Sequence, residues 1–277
     1  MNQKIYQIVN VIILMIALHM ILNLEYVWDT ISSDSVIIVA IVSVLVSIIK
    51  AIRLYLILYG TGIDRKVFFR QYCKVIPVSI VFPFKLGDVF KIFCFGFHIK
   101  NYMYSTCAVI LDRFADTLAL MTLLCTMVLF SVNTTSNIFY LLMIFLVGII
   151  ILYWLFPGLN NYWRHYCLCA DATKNKIKLL QFLSKLELSY NEINKILEGK
   201  TIALYILSLL AWGIELLGLV IFIDYGGIGE AISQHLISAL SGTTTMYIEI
   251  YTISCTFIAL SLSLIREVKI KFKNTAV

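Results

Sequence analysis

The sequence predicts an all-α polytopic membrane protein: six transmembrane helices, two re-entrant hairpins, one membrane domain over 1–277. Three observations predict it. The composition is 61% hydrophobic and 14% charged, whereas a soluble domain carries about 45–50% apolar and about 25% charged residues. The apolar residues gather in long runs, each near the ~20 residues that a helix needs to cross hydrocarbon. The segments between those runs alternate in charge, as the two sides of a membrane require.

The first run covers 5–22. Lys4 precedes it, as in a signal peptide, but no Ala-x-Ala-like site follows and the next segment is acidic, so it reads as a retained span. The other runs cover 36–58, 104–130, 138–156, 201–223 and 246–265. All must be helical, because lipid offers no partner for backbone N–H and C=O groups.

Orientation follows from the connecting segments. The one after the first run holds Glu25, Asp29 and Asp34 and no Lys or Arg. The one after the second holds Arg65, Lys66, Arg70 and Lys74 against Asp64. Segment 131–137 is uncharged, 164–200 is basic, and only Asp224 and Glu230 follow the fifth run. Arg266, Lys269, Lys271 and Lys273 follow the sixth. None of the 22 Lys and Arg residues lies in a segment on the acidic side. The positive-inside rule then puts both termini in the cytoplasm of an inner-type membrane. The net charge of +6 is a topology signal and argues against a nucleic-acid partner.

Two segments depart from plain spans. Segment 76–100 is apolar but carries Pro77, Pro83, Gly87 and Gly96, with Lys85, Asp88 and Lys91 among aromatics. Both its flanks belong on the cytoplasmic side, so it is expected to enter and return as a hairpin. Segment 225–245 carries Gly226, Gly227, Gly229, Glu230 and His235 and is expected to dip in from outside. Two more stretches, 63–76 and 174–197, interleave Lys and Arg with apolar residues at helical spacing. They read as helices lying on the cytoplasmic interface, basic face toward lipid phosphates.

Ionisable side chains inside a span are costly and mark candidate sites. Asp112, Arg113 and Asp116 sit in the third run, the two acids one helical turn apart. They read either as a self-neutralised packing cluster or as a headgroup or proton site with one carboxylate left over. Glu215 lies mid-span in the fifth run without a charged neighbour within a turn, so it needs a partner from another helix or a raised pKa. Glu249 reads as a residue reaching the interface. In the first hairpin Lys85, Gly87, Asp88 and Lys91 combine turn formers with cations, suited to an anionic oxygen. The plainer alternative is a broken helix with snorkelling lysines. The seven cysteines read as small buried hydrophobes and the four histidines show no metal spacing. Among them His235 is the one placed for function. No metal or other cofactor is expected, and no Walker-type glycine loop or phosphatase pairing of His and Arg is present.

Pro83-x-x-x-Gly87-Asp88, followed by Asp112-Arg113-x-x-Asp116, resembles the flippase-like transmembrane domain of lysylphosphatidylglycerol synthases. A later glycine element of that family is similar to Gly226-Gly227-Ile228-Gly229-Glu230. The resemblance covers roughly residues 5 to 265. It implies a non-enzymatic protein that moves, or helps move, a phospholipid or a polyprenyl-phosphate-linked molecule between leaflets. The family's aminoacyltransferase domain is not part of this sequence, so no lysyl-lipid synthesis is expected. Each half then offers a hairpin with glycine and an acid, followed by a span with another acid, the layout of an inverted repeat. Lys85, Lys91 and Arg113 would attract a lipid phosphate, while Asp88, Asp112, Asp116, Glu215 and Glu230, with Gly87 and Gly229, line the path. Two other readings stand beside it. One is a non-transporting partner of an envelope-synthesis glycosyltransferase or aminoacyltransferase. The other is a polyprenyl-phosphate-dependent glycosyltransferase using Asp29 and Asp34.

Overall fold

A computed structural model describes residues 11–12, 14–15, 33–81, 86–129, 137–169, 173–222, 228–241, 247–248, 250–257 and 261. Among the described residues there is no strand. The helices are α1 Ser33–Leu58, α2 Arg65–Val81, α3 Leu86–Ile99, α4 Tyr102–Leu129, α5 Asn137–Cys169, α6 Lys174–Leu197, α7 Thr201–Phe222 and α8 Ile228–Ser241. Residues 250–257 are helical as well.

Among the described residues three stretches are long and apolar enough to cross a membrane: Val36–Leu58 in α1, Phe139–Cys169 in α5 and Thr201–Phe222 in α7. The shortest has 22 residues and reaches about 33 Å at 1.5 Å per residue, just over the ~30 Å of hydrocarbon. Of the other three expected spans, α4 has the length, at 28 residues, but carries Asp112, Arg113 and Asp116. The runs 5–22 and 246–265 lie largely outside the described residues. Many apolar side chains of α5 point outward, with Leu141 70% and Ile144 74% exposed. Such an unpartnered apolar surface suits lipid rather than water.

Two helix boundaries differ from expectation. The fourth run was bounded at 156, yet α5 continues to Cys169 with Pro157 inside it. Proline removes one backbone hydrogen bond, and packing on α6 holds the extension. The Tyr190 ring lies against Tyr153 and Phe156, the Tyr153 hydroxyl donates to Asn194, and Arg164 pairs with Glu187. Nor do 63–76 and 76–100 divide where the sequence suggested. A single helix, α2, runs from Arg65 to Val81 through Pro77.

Helices α2 and α3 form an antiparallel pair. Ser79 faces Gly87 near the connection, and Phe68 stacks on Phe95 at 5.5 Å toward the other end. At that end Gln71 Nε2 and His98 Nε2 are 2.6 Å apart. Burial, then the positive charges of Lys74 and Arg70, hold the His98 imidazole below its ordinary pKa. Gly87 is required by contact: a Cβ there would lie 2.2 Å from Ser79 Cα. The pair packs on α1 and α4 through Leu54, Ile57, Phe68, Val75, Phe95 and Leu111. A second apolar cluster joins Leu120, Met121 and Leu124 of α4 to Phe139, Trp212 and Leu236. Along α4 the charged residues fall between these two layers. Helices α1 and α7 pack closely through Val42, Val46 and Ala211. Gly218 permits it, since a Cβ there would meet Val42 at 2.8 Å and the Tyr247 hydroxyl at 2.7 Å.

Candidate functional site

Between the two apolar layers, helical spacing aligns charges from three helices. Lys50 and Arg53 are three apart on α1, and Asp112 and Asp116 four apart on α4; Ser208, Trp212 and Glu215 follow one stripe of α7. Residues so spaced share a face.

Arg53 is the centre and is 2% exposed. Its Nε donates to Asp112 Oδ1 at 2.8 Å, and its Nη1 donates to Asp116 Oδ1 and to Ser208 Oγ, each at 2.8 Å. The Ser208 hydroxyl donates in turn to the Leu204 carbonyl. Asp112 uses its other oxygen to accept from Lys91 Nζ at 3.3 Å. Lys91 also lies 3.8 Å from Asp88 Oδ1. Asp88 accepts from Arg113 through Nη2 at 2.6 Å and Nε at 2.9 Å. Trp212 Nε1 donates to the Asp116 carbonyl.

On the other side Lys50 Nζ stands 3.8 Å from Glu215 Oε2 and 5.9 Å from the centroid of the Trp212 ring. Glu215 Oε1 is 3.3 Å from Nε2 of the buried His235 on α8. Four cations (Lys50, Arg53, Lys91, Arg113) thus face four carboxylates (Asp88, Asp112, Asp116, Glu215).

These charges border a cavity of about 140 Å³, lined by Lys50, Arg53, Lys91, Asp112, Arg113 and Asp116 with Tyr72, Tyr251 and Cys255 among its walls. Liquid water takes about 30 Å³ per molecule, so the space admits several waters or one small polar group. An apolar groove of about 180 Å³ adjoins it, bordered by Val44, Ile48, Ala51 and Phe69. The two share Ser47, Tyr72, Ile76 and Cys255 as lining residues. Among the described residues no group of three or more His, Cys, Asp or Glu side chains converges as a metal site does.

Asp88, Lys91, Asp112, Arg113, Asp116 and Glu215 come together as one network. Gly87 stands beside it as a packing contact. Glu230 is exposed in the first turn of α8, and Gly229 is half-buried beside it. Neither lines the cavity. Lys85, Gly226, Gly227, Asp29 and Glu249 lie outside the described residues, and Asp34 falls in the first turn of α1.

One local expectation is corrected. Arg113 does not pair with the acids of its own helix but turns to Asp88: adjacent Asp112 points about 100° away, and Asp116, one turn on, is held by Arg53. Both acids instead hold Arg53, so no carboxylate is left over in that trio. Arg53, Lys50 and Ser208 were missed in the sequence. Arg53 and Lys50 stand inside the apolar run 36–58, and the rule that flags an intramembrane charge there would have found them. Ser208 carries no such signal.

Comparison with family models, with curated proteins and with solved structures finds no match to this chain.

Proposed function

We propose that this chain is a flippase-like, multi-pass protein of the cytoplasmic (inner) membrane, moving the phosphate-bearing headgroup of a lipid between leaflets. The substrate is a phospholipid or a polyprenyl-phosphate-linked glycan, and no covalent chemistry is performed on it. One observation carries the reading. A polar cavity adjoins an apolar groove among helices of membrane-crossing length. That pairing of surfaces fits an amphiphile, with headgroup in the cavity and chain in the groove.

In this reading six spans place both termini in the cytoplasm. The α2–α3 pair enters from that side without crossing. Its arms of 17 and 14 residues reach about 26 Å and 21 Å, less than the ~30 Å of hydrocarbon. Helix α8 enters from the opposite side, in the manner of an inverted repeat.

The physical problem such a protein solves is large. An isolated ion in hydrocarbon costs tens of kcal/mol in the Born limit, on the order of 20. Here Arg53, with both acids of α4 attached, is the fixed floor. The cations able to turn to a headgroup are Arg113 and Lys50, whose side chains are 45% and 32% exposed. A phosphate would take over their charge from Asp88 and Glu215.

The test is lipid flipping in proteoliposomes, run with labelled phosphatidylglycerol and, separately, labelled polyprenyl phosphate. The expected result is transport of one of them and its loss in Arg113→Ala and Lys50→Ala. Unchanged transport in both variants overturns the assignment of the site. No transport of either lipid by the unaltered chain favours the second reading, a non-transporting partner in an envelope-synthesis complex. The full pairing of the Arg53 network supports that alternative, because a saturated network also serves as a scaffold.

A further inference from the structure

We propose that His235 and Glu215 form a proton-binding site, coupled to the cavity through Lys50, so that an anionic headgroup enters together with one proton. This rests on the lipid-transport reading and names the ion that accompanies the lipid.

The pair differs from every other charged contact in the site. His235 is 2% exposed. Among the described residues neither of its ring nitrogens has a hydrogen-bond partner; Nε2 comes within 3.3 Å of Glu215 Oε1 without hydrogen-bond geometry. A buried polar group without a hydrogen bond is costly. Imidazole has a remedy that other side chains lack, since its charge changes near neutral pH. A proton added to the ring makes it an imidazolium, whose charge is set against the Glu215 carboxylate 3.3 Å from Nε2.

The surroundings leave Glu215 and Lys50 as the groups that respond. On the helical segment after α8, Tyr247 stands edge-on to the imidazole at 5.3 Å, and its hydroxyl is committed to the Glu215 carbonyl. Tyr251 packs beside Tyr247. Glu230, on the same helix as His235, is exposed. From α4 and α5, apolar side chains such as Leu120 and Leu146 pack around the neighbouring Leu236. The acids of α4, Asp112 and Asp116, hold Arg53.

Charge balance then dictates the coupling. With His235 neutral, the four cations and four carboxylates among the described residues of the cluster balance. Glu215 needs Lys50, and an entering anion would leave the cluster one charge negative. With His235 protonated, Glu215 pairs with the imidazolium, and Lys50, which lines the cavity, is released to the headgroup. Neutrality returns when one anion binds. The proton comes from water and leaves to water; no bond to the lipid is made or broken.

Two measurements on the purified full chain test this. The first adds short-chain phosphatidylglycerol, or polyprenyl phosphate if that is the lipid moved, to weakly buffered protein with a pH dye. The expected result is uptake of about one proton per lipid bound, and binding that weakens about tenfold per pH unit wherever that uptake is seen. The second compares variants. His235→Gln should bind with no proton uptake. Glu215→Gln, which releases Lys50 without a proton, should bind at high pH as the unaltered chain does at low pH. Lipid binding by the unaltered chain without proton uptake overturns this inference and leaves the transport reading standing. Absence of lipid binding at every pH overturns the transport reading, and this inference falls with it.

Discussion

The two ends of the charge cluster are built differently. Around Arg53 the donors meet carboxylate or hydroxyl oxygens at 2.8 Å, and the side chain is sealed from solvent. Around His235 the contacts are looser, at 3.3 and 3.8 Å, and the imidazole nitrogens are unsatisfied. Close, forked pairing fixes helices against each other. Loose pairing with a surplus partner allows exchange. The comparison teaches that one buried charge network can be saturated with hydrogen bonds at one end and left open at the other, the difference that separates a scaffold from the proposed proton site.

The strongest way to break the comparison is Arg53→Ala. It removes the hydrogen-bonded cation of Asp116 and one of the two that hold Asp112, and removing one partner of a buried pair costs about 3–5 kcal/mol. The expected outcome is a large fall in the detergent-solubilised melting temperature. Arg53→Lys should recover only part of it, because one ammonium cannot reproduce the forked geometry. A melting temperature for Arg53→Ala close to that of the unaltered chain would remove the scaffold role.

Gly87→Ala probes the contact that holds α3, with Asp88 and Lys91, against α2. The added methyl must displace Ser79 backbone, and overpacking of this kind costs about 1–3 kcal/mol. The same melt reads it, and no change would show that the helix pair yields freely. The smallest effect is expected at Arg164→Ala. Its pair with Glu187 is partly exposed, and such pairs contribute about 0–1 kcal/mol. A loss as large as that of Gly87→Ala would mean that α6 is fastened to α5 mainly by charge rather than by the ring contacts of Tyr190.

Much of the site could be read in advance, but its pairing could not. Asp112 and Asp116 were legible as one face because helical spacing is local. Glu215 was legible as a residue in need of a distant partner. Arg53 hid in the middle of a run whose overall hydropathy marked it simply as a span. Its bonds to Asp112 and Asp116 cross 59 and 63 positions of the chain. Pro77 and Pro157 looked like boundaries because the residue costs a helix one hydrogen bond. Packing of α2 on α3, and of α5 on α6, accompanies helices that continue through both.

The sequence by itself determined that the chain is helical and apolar enough for a membrane, and which residues share a helix face. Those properties depend on composition and on repeats of three to four residues, both local. The tertiary structure decided that Arg113 serves Asp88, that Arg53 holds both acids of α4, and that Glu215 stands between Lys50 and His235. Ion pairs depend on distances of a few ångströms in space, and helix packing sets those distances between residues far apart in the chain.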